Sequence, residues 1–450
     1  APALTCTAGS FTTGAHASLS ALPAVQVNAG ASWLLASSQR IGSLAGAGNV
    51  LLDVHTLRTG EGGGSRFDGV LSGAGNLVKQ GDSTFTLGGG NTFTGGTEVA
   101  TGTLALQGSD RLADTGQVQV ATGATLSLDA TETVASLDLA GLLSGTGTLT
   151  AARYGLQSGT VLAGLGGGAL ASTGSSRLAG AAAVDSIQVD ADTLALAAGA
   201  PTRTPLVTVA GGATLALEGH VTLGSLAGAG SVQLGAATLT TGVAGSSLFS
   251  GVISGSGGVD KQGDSRFTLS GANQYTGPTR VAGGTLALSG ADRLADATEL
   301  TVASPAALAL DGNDTVASLL LQGTLSGSGT LSAATYALAG GSALADLGAG
   351  RLVSTGSSLL AGTSAASEVV VQAGTLTLGA ADRLAPSSGV SVASGATLTL
   401  GGGDRIDNLS LLGTLDGTGT LRAQRALLVG GHLVADLAAD LLVSSGSSQL

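Results

Sequence analysis

FDGVLSGAGNLVKQGDSTFTLGGGNTFTGGTEVATGTLALQGSDRLAD, residues 67–114, returns without a gap as FSGVISGSGGVDKQGDSRFTLSGANQYTGPTRVAGGTLALSGADRLAD, residues 249–296, at an offset of 182. A unit that repeats at a fixed period buries its apolar face against its own neighbours, so this self-similarity predicts a stacked solenoid rather than a globule. The offset runs back to the pair that starts at Val25 and Val207, and forward to Tyr154 and Tyr336 and to the STGSS segments at Ser172 and Ser354. A partial third copy carries ADRLA at Ala381, LDGTGTL at Leu415 and SSGSS at Ser444, now 90 residues after its counterparts. The long unit is therefore built from smaller pieces that can be dropped.

Inside the unit, leucines that follow Gly/Ala-Thr or its equivalent fall at Leu104, Leu126, Leu149 and Leu170. The second copy gives Leu286, Leu308, Leu331 and Leu352, and the third Leu376, Leu398, Leu421 and Leu442, with spacings of 22, 23 and 21 in each series. Short alternations such as TLALQ and ATLTL, separated by Gly, Ser, Asp and Asn, read as strands with one inward and one outward face. The expected fold is all-β, a right-handed parallel β-helix (β-solenoid) of about 20 rungs of 21–23 residues, with Leu104, Leu126 and Leu149 stacked in one inward column. Residues 1–24 read as an N-terminal segment that caps the first rung. The continuous solenoid then covers 25–450 as super-repeats 25–206 and 207–386 and a partial 387–450.

Composition fits a narrow interior: 77 glycines for tight corners, 2% aromatics and 43% hydrophobic residues. Apolar positions in register separate the chain from low-complexity disorder. With 17 basic and 29 acidic residues, a net charge of −12 and no Lys/Arg cluster, nothing resembles a phosphate-tracking surface, and nucleic acid is excluded as a partner. Gly, Ser, Thr and Asp interrupt every apolar run before it could span a bilayer as a helix. Cys6 is the single cysteine, so no internal disulfide forms, which suits a chain that crosses a periplasm unfolded; the absence of Met, even at position 1, reads as a processed or excised piece.

The order Gly-x-Gly-x-Leu/Val-x-Lys-x-Gly, then Thr-Leu-x-Gly-x-Asn-x-Phe/Tyr-Thr-Gly-x-Thr, then Val-x-x-Gly-Thr-Leu resembles the autotransporter-associated β-strand repeat of type V secreted passenger domains. The first copy carries it at Gly73, Gly75, Lys79, Gly81, Thr86, Leu87, Asn91, Phe93, Thr94, Gly95, Thr97, Val99, Gly102, Thr103 and Leu104. The second carries Lys261, Gly263, Asn273, Tyr275 and Gly277 at the matching positions. The resemblance implies a β-helical passenger exported through an outer-membrane translocator barrel to the cell surface or extracellular space, with the repeat serving folding or secretion. The barrel is expected either as the chain's own C-terminal domain or as a separate protein, as in filamentous-haemagglutinin-like secretion, because no long amphipathic barrel strands occur before Leu450.

Candidate chemistry is thin. Gly81-Asp82-Ser83 and Gly263-Asp264-Ser265 are similar to the start of a GDSL-type esterase block, but neither is followed by Leu and both occupy the same corner of a repeated rung, where Asp and Ser favour turns. His16, His55, His220 and His432 have no metal-like spacing. Asp404 and Asp407 after three glycines lack the nonapeptide period of a calcium β-roll. Asp110-Arg111, Asp292-Arg293 and Asp382-Arg383 recur, which suits an ion pair or turn cap rather than one assembled catalytic centre. Phe67, Phe85 and Phe93 match Phe249, Phe267 and Tyr275 and are expected to plug the interior, and Trp33 faces the core. The sequence thus predicts no enzyme, no cofactor and no metal. It predicts an adhesin or structural stalk in attachment, aggregation or biofilm, with self-association and a host or surface glycan as partner classes. The alternative is a self-assembling filament or sheath subunit, and a carbohydrate-active β-helix enzyme or tailspike ranks below both.

Overall fold

Leucine or valine alternating with Thr, Ala, Ser or Gln suits a strand with one dry and one wet side. In the computed structural model, which describes residues 3–14, 19, 21–446 and 448, these alternations become short strands, and no helix occurs among the described residues. Thr103–Leu106 and Thr125–Leu128 each bury their two leucines and leave Thr, Ala or Ser partly exposed. The ladders are parallel: Leu104 faces Leu126 in one unit, and Leu286 faces Leu308, which faces Leu325, in the other. The chain divides into two compact units, Ala1–Val221 and Thr222–Leu450. It makes about 23 turns of parallel β-solenoid in all, close to the number expected.

The turns are less uniform than the leucine spacing suggested. Thr103 faces Thr125, 22 residues on, whereas Thr125 faces Leu142, only 17 residues on. The same pair of lengths recurs from Thr285 to Ala307 to Thr324, and from Thr375 to Thr397 to Thr414. This corrects the expected column. Leu104 and Leu126 do stack, but the next residue in their column is Leu143. Leu149 lies on another face, between Glu132 and Leu165, and Leu170 faces Tyr154 and Ile187.

The physical reason is the corner. In the wide turn the chain leaves the ladder over residues 107–116, the segment that holds Asp110-Arg111-Leu112. In the tight turn the equivalent path is residues 129–135, three fewer, running into the strand Glu132–Leu139, whose ladder pairing skips Ala135, and the next corner shortens from 121–124 to 140–141. That strand rounds the corner by bending, so fewer residues are needed. A leucine every 21 to 23 residues then moves off its face, because the turns themselves are shorter.

Near the N-terminus, Ala3–Cys6 pairs with Ala24–Val27 and Gly9–Thr13 with Ala31–Leu35. The Phe11 ring stacks on Trp33 at 5.4 Å with an interplanar angle of 9°. Trp33 is fully buried, as its core-facing assignment required. His16 lies outside the described residues.

Candidate functional site: two buried-lysine modules

A buried ammonium is costly unless its donors are all used. Lys79 ends the strand Asn76–Lys79, and its ladder partners are Thr59 and Val99. Its side chain is therefore aimed at the interior and is fully buried. Nζ donates to the carbonyls of Gln80 (2.9 Å), Gly81 (2.6 Å) and Thr101 (3.1 Å). Lys261 repeats the arrangement with Gln262 (2.8 Å), Gly263 (2.9 Å) and Gly283 (3.1 Å). Each ammonium thus has three acceptors for its three protons. Desolvation pushes both lysines below the usual range, opposed by the nearby carboxylates of Asp82 and Asp264.

Two glycines make this cage. Gly81 and Gly263 sit at φ +69° and +68°, left-handed conformations that carry their carbonyls back to Nζ at little steric cost. One turn earlier, a Cβ on Gly242 would lie 2.6 Å from both Cδ and Cε of Lys261, and one on Gly60 would lie 2.8 and 2.9 Å from the same atoms of Lys79. Gly242→Ala is therefore expected to destabilise its module by about 1–3 kcal/mol through overpacking and the φ of +89°. Gly63→Ala, at positive φ but with open space around it, should cost less. Urea melts of the two variants check the order.

Asn91 joins three successive turns: its Oδ1 accepts from the Leu71 N–H at 2.9 Å, and its Nδ2 donates to the Arg111 carbonyl at 2.9 Å. Asn273 does the same between Ile253 (2.9 Å) and Arg293 (2.8 Å). The side-chain amide supplies one donor and one acceptor where the corner has no backbone ladder, which is why an amide suits the position. Phe93 and Tyr275 fill the interior beside it, and the Tyr275 hydroxyl lies 2.6 Å from Thr279 Oγ1. Gly95 and Gly277 pass so close to the carbonyls of Gly75 and Gly257 that a Cβ would collide with them. The sequence motif therefore marks residues of one packed module in each unit.

Three buried carboxylates belong to the same construction. Glu132 accepts the backbone N–H groups of Arg111 (2.8 Å) and Leu112 (2.7 Å), Asp314 those of Arg293 and Leu294, and Asp404 those of Arg383 (2.7 Å) and Leu384 (2.9 Å). The recurrent Asp-Arg-Leu segment is thus a turn, with Asp110, Asp292 and Asp382 at φ 58°, 56° and 56°, whose freed N–H groups are capped one turn later. Its arginines hydrogen-bond carbonyls, as Arg293 does with Ser270 and Arg383 with Ala361, both at 2.7 Å. Burial pushes Glu132 up to about 7 and Asp314 up to about 6, with the backbone donors opposing it; Asp404 is raised for the same reason.

These carboxyls hold protons more tightly folded than unfolded. Their contribution is fully present below the unfolded carboxyl range and is lost as pH rises through the folded values. Acidification from pH 8 to pH 5 is expected to stabilise the Glu132 region by on the order of 2–3 kcal/mol relative to Glu132→Gln, in which that slope is absent. Urea melts of both proteins at the two pH values check it; equal slopes would refute the assignment.

Ser83 Oγ donates to the Gly60 carbonyl at 2.5 Å and Ser265 Oγ to the Gly242 carbonyl at 2.6 Å, so both Gly-Asp-Ser corners act as turns. Asp407 accepts from Asn408 Nδ2 rather than joining Asp404. No group of three or more His, Cys, Asp or Glu placed to hold a metal occurs among the described residues. What the modules do chemically is hold successive turns together.

The Passenger-associated-transport-repeat family matches residues 77–106 and 259–288. These segments contain Lys79, Gly81, Asn91, Phe93 and Gly95 in the first unit and Lys261, Gly263, Asn273, Tyr275 and Gly277 in the second. No curated protein and no solved structure matches the chain. The chain thus carries two passenger-associated-transport repeats within a parallel β-solenoid, consistent with an autotransporter passenger domain.

Proposed function

We propose that this chain is a non-enzymatic passenger, exported through an outer-membrane barrel to the cell surface or extracellular space, that serves as an adhesin or structural stalk. The observation that carries the reading is that the distinctive polar residues of both repeats are used in holding turns: Lys79 and Lys261 on carbonyls, Asn91 and Asn273 across three turns, Ser83 and Ser265 at corners. A nucleophile needs a base within reach, and these serines donate to backbone carbonyls instead. A repeated outer surface of Thr, Ser and Gln supports many weak contacts whose avidity exceeds any one of them.

Deletion of the coding segment is expected to reduce cell aggregation or biofilm, and added soluble chain should compete with attachment. Attachment left intact, with loss of growth on a polymeric substrate, would favour an enzyme instead. The purified chain should also hydrolyse neither simple esters nor polysaccharides; turnover abolished by Ser83→Ala or Ser265→Ala would overturn the reading.

A further inference from the structure

Two arginines of the third copy stand where the other copies place hydroxyls. Arg405 on the strand Asp404–Leu411 faces Arg422 on the strand Thr420–Val429, and both are exposed. The same ladder positions are Thr133 facing Thr150 in the first copy and Thr315 facing Ser332 in the second. Thr–Thr and Thr–Ser pairs favour a sheet, whereas like charges directly opposite oppose it. The solenoid itself therefore does not require these arginines. Neither takes part in any ion pair found among the described residues, all of which use other arginines.

Both border a groove of about 430 Å³ whose lining includes Gly402, Gly403 and Gly419 and, beside them, Asp382, Thr418 and the buried Asp404. Asp404 differs from its counterparts. Both N–H groups it caps go to Oδ1, and Oδ2 is buried without a hydrogen-bond partner, whereas Glu132 uses both oxygens. Two forked cation donors one rung apart, about 4.8 Å by strand spacing, suit one oxyanion bridged between them. The hydroxyl of Thr418 and the carboxylate of Asp382 in the same lining suit the hydroxyls of a sugar.

We propose that Arg405 and Arg422 form a binding subsite for an acidic polysaccharide, with a sulfate or carboxylate group of the polymer held between the two guanidinium groups. The chain's net charge of −12 repels polyanions, so any such binding must be local to this pair. The inference goes beyond the attachment reading, because binding in solution stands or fails whether or not the chain mediates attachment in cells.

The test titrates the purified chain at low salt with dextran sulfate, polygalacturonate, neutral dextran and inorganic sulfate. Both acidic polymers should bind, the tighter one telling sulfate from carboxylate, and neutral dextran should not. The double variant R405T/R422S, which installs the hydroxyl residues of the second copy, should weaken binding at least tenfold while melting no lower than the parent. R153S, which removes an exposed arginine of the first unit, should leave binding unchanged. Equal binding of neutral dextran, or undiminished binding by the double variant, overturns the proposal. Equal loss in R153S shows a diffuse charge effect and also overturns it. Inorganic sulfate that binds as tightly per site as the polymer shows a simple anion site and overturns the polysaccharide class.

Discussion

Lys79→Glu is expected to destabilise the first repeat by on the order of 3–5 kcal/mol, because it sets a buried carboxylate against the carbonyls of Gln80, Gly81 and Thr101 with no donor to satisfy it. Lys79→Met keeps the length and apolar stem but leaves three carbonyls without the ammonium. It should cost about 1–3 kcal/mol. The ordering Glu worse than Met, and Met worse than the parent, separates charge from shape. Lys261→Glu should repeat the effect in its own unit, where the cage has the same three-carbonyl form. Amide hydrogen exchange across residues 77–106 reads the loss locally. If Lys79→Glu exchanges and melts like the parent, the lysine is not buried in solution.

Leu308→Asp is expected to cost several kcal/mol, since Leu308 is fully buried between Leu286 and Leu325 and an unpaired carboxylate there has no hydrogen-bonding partner. Asp296→Ala, at an exposed turn, should change stability by no more than about 0.5 kcal/mol. Denaturant melts of the two proteins compare them. Similar losses would show that the inward column is wrongly assigned.

Much of this architecture can be read from the chain itself. The 182-residue offset, the Leu/Thr alternation and the glycine content lead to parallel stacked turns, and the recurrence of Lys79, Asn91 and Phe93 as Lys261, Asn273 and Tyr275 marks the modules. The turn length could not be read from the leucines. Leu126 and Leu149 look like one series because both follow a Thr, yet the bent strand Glu132–Leu139 places them on different faces. The one trace of the bend at Ala135 is a phase slip, since Val134 and Leu137 are both buried although three residues apart, and in so short a segment that slip does not reveal the turn length.

The lysine roles were hidden for another reason. A lone Lys beside Gln, Gly and Asp reads as a solvated side chain, and only the backbone's left-handed glycine brings the carbonyls around it. The carboxylates left a usable signal that sequence reading missed. An acidic residue occurs at 132, 314 and 404, with the offsets of 182 and 90 that relate the three copies, but it changes from Glu to Asp and stands among other polar residues. The recurrence of Tyr154 as Tyr336 was legible in the sequence, but not the role of the ring. Each hydroxyl accepts a backbone N–H, from Ala151 at 2.9 Å and from Ala333 at 2.8 Å, inside a long strand at its corner.

The amide of Asn91 reaches 20 residues back to Leu71 and 20 forward to Arg111, and Lys79 reaches 22 forward to Thr101. The entropy of closing a flexible loop depends on the residues within it, growing only as the logarithm of their number. For these contacts that number is fixed by the size of one turn and is independent of how many residues the chain contains. A block of 90 residues, the step that separates the third copy from the second, can be gained or lost while the remaining closures keep their spans. Chain length thus becomes a quantity that duplication and deletion can change in whole blocks, with the entropic cost of ordering each remaining turn left as it was.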